Sequence, residues 1–180
     1  MRFEPAGLDG AWLVDLDRHE DERGFFARIW CAEEFRSRGL ADRLSQCSVS
    51  HNRRAGTLRG MHYQAAPHEE ARVVRCIAGA IFDVLIDLRP SSATFMQWVG
   101  TELTSDNRRA LYVPPGFAHG FQTLRDDTEV LYLIDEPFDA ALARGVRWDD
   151  PAFNIQWPLP PAILSERDRG YPDFHAGGER

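Results

Sequence analysis

Residues 72–90 read RVVRCIAGAIFDVLIDLRP, two apolar runs joined at Ala78-Gly79-Ala80 and closed by Pro90. Each run is rich in β-branched side chains and too short for an ordinary helix, so the pattern predicts two strands, paired with one another through a glycine turn. In the second strand Asp83 and Asp87 stand four residues apart and share a face. That face is expected to meet arginines or a polar cavity. A second pair is expected in ALYVPPGFAHGFQTL, where Pro114 and Pro115 break one strand, Gly116 turns, and His119 begins the next near the mouth of a barrel.

Outward from these pairs, short β-rich segments recur between turn signals, the pattern of sandwiches and barrels. Strands are expected at Trp12–Leu16, Phe25–Trp30, Gln46–Asn52, Thr57–Tyr63, Arg72–Ala78, Ala80–Asp87, Gln97–Leu103, Ala110–Val113, Ala118–Thr123 and Thr128–Ile134. One short helix is expected at Ala32–Arg38, with acids in its first turn, arginines in its last and Gly39 as a stop. Six prolines between Pro137 and Pro172 predict an irregular carboxy-terminal wrap around the barrel.

At 180 residues, 43% hydrophobic and 27% charged, the chain reads as one domain over residues 1–180. No apolar run approaches the ~20 residues that span a bilayer, and MRFEPAGLDG lacks the blocks of a secretion signal, so a cytoplasmic location is expected. Cys31, Cys47 and Cys76 are odd in number and widely spaced, which predicts buried free thiols. A net charge of −7 disfavours nucleic acid as the main partner. All 21 basic residues are arginine, which excludes lysine Schiff-base chemistry and leaves planar cations suited to phosphate and carboxylate.

The chemistry concentrates in TLRGMHYQ, residues 57–64. Arg59 and His62 are an odd number of residues apart, so on a flat strand they point to opposite faces. Gly60 between them permits a bulge that re-aims one of them.

Four stretches, LRGMHYQ (58–64), GAIFDVLIDLRPSSATF (79–95), PPGFAHGF (114–121) and RWDDPAFNIQWP (147–158), occur in an order and spacing that resemble the dTDP-4-dehydrorhamnose 3,5-epimerase family of the cupin superfamily. The resemblance runs from DERGFF (21–26) to LSERD (164–168). It implies an all-β, cupin-type double-stranded β-barrel (jelly roll) with one or two short helices. It also implies a homodimer with an exchanged amino-terminal strand, no cofactor, no metal and a nucleoside-diphosphate 4-keto-6-deoxy sugar as substrate. The reaction it implies is removal of a proton beside the ketone and its return to the opposite face of the enolate.

By the same resemblance His62 is the base, Asp168 its orienting carboxylate and Tyr132 the acid that reprotonates the enolate. A phenol needs a stabilised anion to act so, and arginines or a buried dipole are expected beside Tyr132. Arg23, Arg59, His119 and Arg167 match residues that bind diphosphate or sugar, Arg23 in trans, and Gln46 matches a contact to the nucleotide. The chain departs from its relatives in several places. Arg72 stands where the family usually has lysine near the ketone, and Phe138 replaces a tyrosine or tryptophan that stacks on the base. Arg28 and Ala143 replace acids, and Ser48 sits near an expected asparagine. The resemblance implies 3,5-epimerisation of dTDP-4-dehydro-6-deoxy-glucose, and these departures motivate the alternative of a variant that inverts one carbon only or takes another nucleotide sugar. Two other classes compete: a metal-dependent cupin, whose HxH pair this chain lacks because Tyr63 and Gln64 follow His62, and a silent sugar-binding cupin, which has no need of a base and an acid.

Overall fold

The computed structural model describes residues 1–176, so the last four residues of the expected 1–180 domain lie outside the described residues. In chain order the elements are β1 (Arg2–Pro5), β2 (Trp12–Asp15), β3 (His19–Asp21), β4 (Gly24–Phe26), α1 (Ala32–Arg36), β5 (Gln46–Asn52), β6 (Leu58–Gln64), β7 (Arg72–Ala78) and β8 (Ala80–Asp87). β9 (Trp98–Thr104), β10 (Ala110–Val113), β11 (Phe117–Thr123), β12 (Thr128–Ile134), β13 (Ala143–Gly145) and α2 (Glu166–Arg169) complete them. Two antiparallel sheets face each other, one ordered β1-β2-β10-β7-β12-β5 and the other β13-β6-β11-β8-β9. This is the cupin jelly roll.

The strands of residues 72–90 form as expected, but they do not pair with one another. β7 lies between β10 and β12 in the six-stranded sheet, and β8 between β11 and β9 in the five-stranded one. The Ala78-Gly79-Ala80 turn is a corner that carries the chain across the sandwich. Gly79 has φ +77, and a Cβ there would lie 2.3 Å from Thr128 Oγ1. β10 and β11, joined through Pro114-Pro115-Gly116, likewise fall in opposite sheets. The physical reason is that these strands are apolar on both faces. A strand of that kind needs cover on each side, which a hairpin partner in its own sheet cannot give.

Between the sheets Val74, Cys76, Leu111, Val113 and Val130 meet Ile81, Leu85, Leu103, Phe117 and Phe121. The opposite face of β8, with Val84 and Ile86, is covered by Phe153, Ile155 and Trp157 of the carboxy-terminal wrap. Phe35 of α1 covers Val14, Val73, Ala110 and Tyr112 on the outer face of the other sheet. A five-residue helix has little stability of its own. Its anchor is Phe35, fully buried against the rings of Phe3, Trp30 and Tyr112 at 5.4–6.0 Å.

Residues 25–30 do not form the expected strand. Only Gly24–Phe26 is extended, and it pairs solely with β3, so the two make an exposed hairpin outside both sheets. No sheet extends the pairing beyond Phe26. β1 and β2 pair with one another and with β10 at the edge of the six-stranded sheet. Of the three free cysteines only Cys76 is buried; Cys47 is exposed on edge strand β5, where odd-numbered side chains face outward.

Candidate active site

Where the apolar core stops, the two sheets enclose a cavity of about 290 Å³. Gln46, Ser48, Ser50, Tyr132 and Ile134 line it from the six-stranded sheet, and Arg59, His62, His119 and Phe121 from the other, with Glu70, Arg72 and Phe138 completing it. The alternation of QCSVSHN delivers Gln46, Ser48 and Ser50 to one face.

Arg59 and His62 share this cavity because β6 is bulged. His119 pairs with His62 and Phe121 with Arg59, so three steps along β6 match two along β11. Gly60 makes the bulge with φ +135, and a Cβ there would lie 2.5 Å from the Cα of Gly120. Two glycines therefore meet back to back, and the odd spacing that separates two side chains on a flat strand is cancelled.

His62 Nε2 donates to Asp168 Oδ1 at 2.7 Å, leaving Nδ1 with the lone pair. Asp168 is 4% exposed, and its Oδ2 accepts from the Gly60 N–H at 3.3 Å. Ser165, at the N-cap of α2, accepts from the Asp168 N–H at 3.1 Å and fixes the turn that aims the carboxylate. Burial pushes the Asp168 carboxyl up, but the hydrogen bond and charge of His62 outweigh it, and the net shift is downward. The carboxylate therefore stays ionised beside the imidazole.

A second histidine–aspartate pair lies deeper. His119 Nε2 donates to Asp83 Oδ1 at 2.7 Å, both side chains being 3% exposed or less. Arg72 Nη1 stands 3.5 Å from His119 Nδ1, and its Nε donates to Glu70 Oε1 at 2.9 Å. Asp83 and Asp87 thus share a face as expected but part company. Asp83 turns to His119, whereas Asp87 is held by Arg89, Ser92 and Thr94.

Tyr132 Oη lies 3.4 Å from Ser50 Oγ, and its ring meets His119 edge-on at 6.4 Å. Burial pushes its phenol up to about 12, against the opposing pull of Ser50, Arg59 and Arg72. The expected arginines are present, yet desolvation wins, and the group is a protonated phenol at neutral pH. Arg59 Nε donates to Asn52 Oδ1 at 2.7 Å, which aims the guanidinium along the cavity.

Behind His62 a further depression of about 330 Å³ is lined by Arg59, Arg167, Asp168 and Leu164. A larger one, about 480 Å³, lies at Arg2, Asp15, Asp17, Arg18 and Arg109, far from these histidines in sequence and sheet position. Its carboxylates are engaged by arginine: Asp15 by Arg109 at 2.8 Å and Asp17 by Arg2 at 3.6 Å. Among the described residues no group of three metal-ligating side chains is found.

The family model described as dTDP-4-dehydrorhamnose 3,5-epimerase matches residues 5–176. The chain belongs to this family. It is 39% identical over 175 residues to the dTDP-4-dehydrorhamnose 3,5-epimerase of Sinorhizobium fredii, covering 97% of this chain and 90% of that protein. The dTDP-4-dehydrorhamnose 3-epimerase of Streptomyces niveus is 37% identical over 170 residues, with 94% and 82% covered. A crystal structure of the Bacillus anthracis dTDP-4-dehydrorhamnose 3,5-epimerase with TDP and PPi bound superposes with a TM-score of 0.92 at 39% identity, covering 96% of this chain and 99% of that one.

Within this epimerase fold, the expected site residues divide. His62, Tyr132, Asp168, Arg59, Arg72, His119, Gln46, Phe138 and Arg167 converge on the cavity or the depression behind it. Phe138 is 60% exposed at the rim, where its N–H donates to Gln46 Oε1 at 3.3 Å. Gln64 holds this rim in place, accepting from the Asp139 N–H and donating to the carbonyls of His68 and Pro137. Arg23 does not reach its own chain's cavity; it sits at the tip of the β3–β4 hairpin, 84% exposed and paired with Asp21. Arg28 pairs with Glu34 and lines neither depression beside His62. Sequence reading put Asp83 on a polar face without naming His119 as its partner, and it missed Glu70, Asn52 and Tyr171, whose ring lies 6.1 Å from His62. Only Asp83 left a signal, as a charge inside an apolar strand.

Proposed function

We propose that this epimerase inverts carbons 3 and 5 of a dTDP-4-keto-6-deoxy sugar, with His62 as base and Tyr132 as acid. The observation that carries the reading is their placement: a histidine from one sheet and a tyrosine from the other face a single cavity. His62 Nδ1 takes the proton from the carbon beside the ketone, and Asp168 stabilises the imidazolium. The electron pair moves onto the ketone oxygen, where the Arg72 guanidinium, steadied by His119, offsets the charge. Tyr132 then gives a proton to the opposite face of the enolate, and Arg59 and Arg72 soften the cost of its anion.

Arg59 and Arg167 suit the diphosphate, and Gln46 and Phe138 the nucleotide end. Arg23 acts in a homodimer, carried into the partner's cavity by the exposed hairpin, whose Phe26 is 77% exposed. A reducing, cytoplasmic setting agrees with three unpaired cysteines, and no described helix is long and apolar enough to cross a membrane. Residues 1–180 act as one domain in this reading.

Incubation with dTDP-4-keto-6-deoxy-glucose in deuterium oxide, followed by NMR, tests it. Deuterium at carbons 3 and 5 is expected, and none with His62→Asn; unchanged exchange in that variant would overturn the assignment. Deuterium at carbon 3 alone would instead favour the mono-epimerase alternative, the activity named for the Streptomyces niveus relative.

A further inference from the structure

We propose that Glu70 is a positioning residue for the reaction, holding Arg72 as a directional hydrogen-bond donor rather than a free cation. The inference rests on the function proposed above. Glu70 stands two residues before Arg72, at the entrance to β7, and both side chains are withdrawn from solvent, 7% and 13% exposed. Glu70 Oε1 accepts from both Nε and Nη2 of Arg72. Nη1 of the same guanidinium faces His119 Nδ1, whose other nitrogen is fixed by Asp83. The planar fork is thereby held on two sides, and one N–H each on Nη1 and Nη2 remains for a ligand.

Two consequences follow for the chemistry. An unpaired arginine beside His62 would oppose the positive charge that the base acquires, while the Glu70–Arg72 pair is neutral as a unit. A guanidinium on a flexible stem stabilises an enolate oxygen only if its N–H groups are already aimed at it. A lysine at this position would need no such partner, because an ammonium donates in three rotatable directions. The carboxylate is therefore specific to an arginine here, and it narrows the ketone position to geometries that the fixed N–H pair can reach.

The test compares Glu70→Gln, Arg72→Lys and the double variant by steady-state kinetics, with dTDP affinity measured by calorimetry. Glu70→Gln is expected to lower kcat by about tenfold or more and leave dTDP affinity unchanged, since the loss falls on the enolate and not on the nucleotide. In the Arg72→Lys background the same change is expected to cost less than about threefold, because no fork remains to be aimed. Equal losses in both backgrounds, or an effect of Glu70→Gln confined to thermal stability, would overturn the positioning role. If wild-type protein itself shows no exchange at the sugar carbons, the proposed function fails instead. Wild-type activity with an unaltered Glu70→Gln enzyme sinks this inference alone.

Discussion

At the scale of single residues, the site is a set of groups whose neighbours decide their protonation. Asp168 is kept ionised by His62, and Tyr132 is kept neutral by burial. Replacing Asp168 with Asn leaves the shape but removes the charge that steadies the imidazolium. A fall in kcat on the order of 10²–10³ is expected, with the circular dichroism spectrum unchanged. Tyr132→Phe separates the two half-reactions. Proton abstraction, followed as exchange of label out of the substrate, should survive, while formation of the inverted product drops roughly 10²–10³-fold. If abstraction and inversion fall together, Tyr132 does more than reprotonate. The pairing of His62 with Asp168 was legible only through motif resemblance, because the two stand 106 residues apart and no local spacing links them. Glu70 and Asn52 escaped notice for the opposite reason: each is an ordinary polar residue whose meaning lies in one hydrogen bond.

At the scale of elements, strand β6 carries the site and its bulge decides what the site contains. Periodicity located nine of the thirteen described strands, β2 and β5 to β12, since β-branched runs between glycines and prolines show their extent locally, and it missed the short β1, β3 and β13. It could not say which sheet a strand joins. β7 and β8 meet in sequence and part in space because cover for both faces of an apolar strand is a property of the whole sandwich. β13, three residues long, left no periodic trace, and neither did α2, a single capped turn. The bulge itself was anticipated from Gly60, the residue that tolerates φ +135. Gly60→Ala or Gly120→Ala places a methyl within 2.6 Å of backbone or of Met61 Sδ. Each is expected to cost about 3 kcal/mol or more in urea unfolding and to abolish turnover. A stable Gly60→Ala enzyme with normal kcat would show that Arg59 and His62 do not depend on the bulge.

At the scale of the whole molecule, acid stability and assembly are the accessible properties. Burial raises the Asp87 carboxyl, and hydrogen bonds from Arg89, Ser92 and Thr94 overcome it and bring it to about 2. The unfolded group titrates near 3.8, so its contribution is complete above about pH 4 and vanishes as the pH falls through 2. About 2 kcal/mol of unfolding free energy should disappear across that window, and Asp87→Asn should flatten the slope there. Assembly can be read by complementation. A chain with Arg23→Ala and a chain with His62→Asn, each inactive, should regain activity when refolded together if the hairpin works in trans, because one of the two mixed sites is then intact. No recovery would return Arg23 to a surface role. The position of α2 has a consequence in time as well. During synthesis the chain emerges amino terminus first, so His62 is made long before Asp168, its hydrogen-bond partner. A chain cut short before residue 168 therefore carries His62 without the carboxylate that fixes its tautomer.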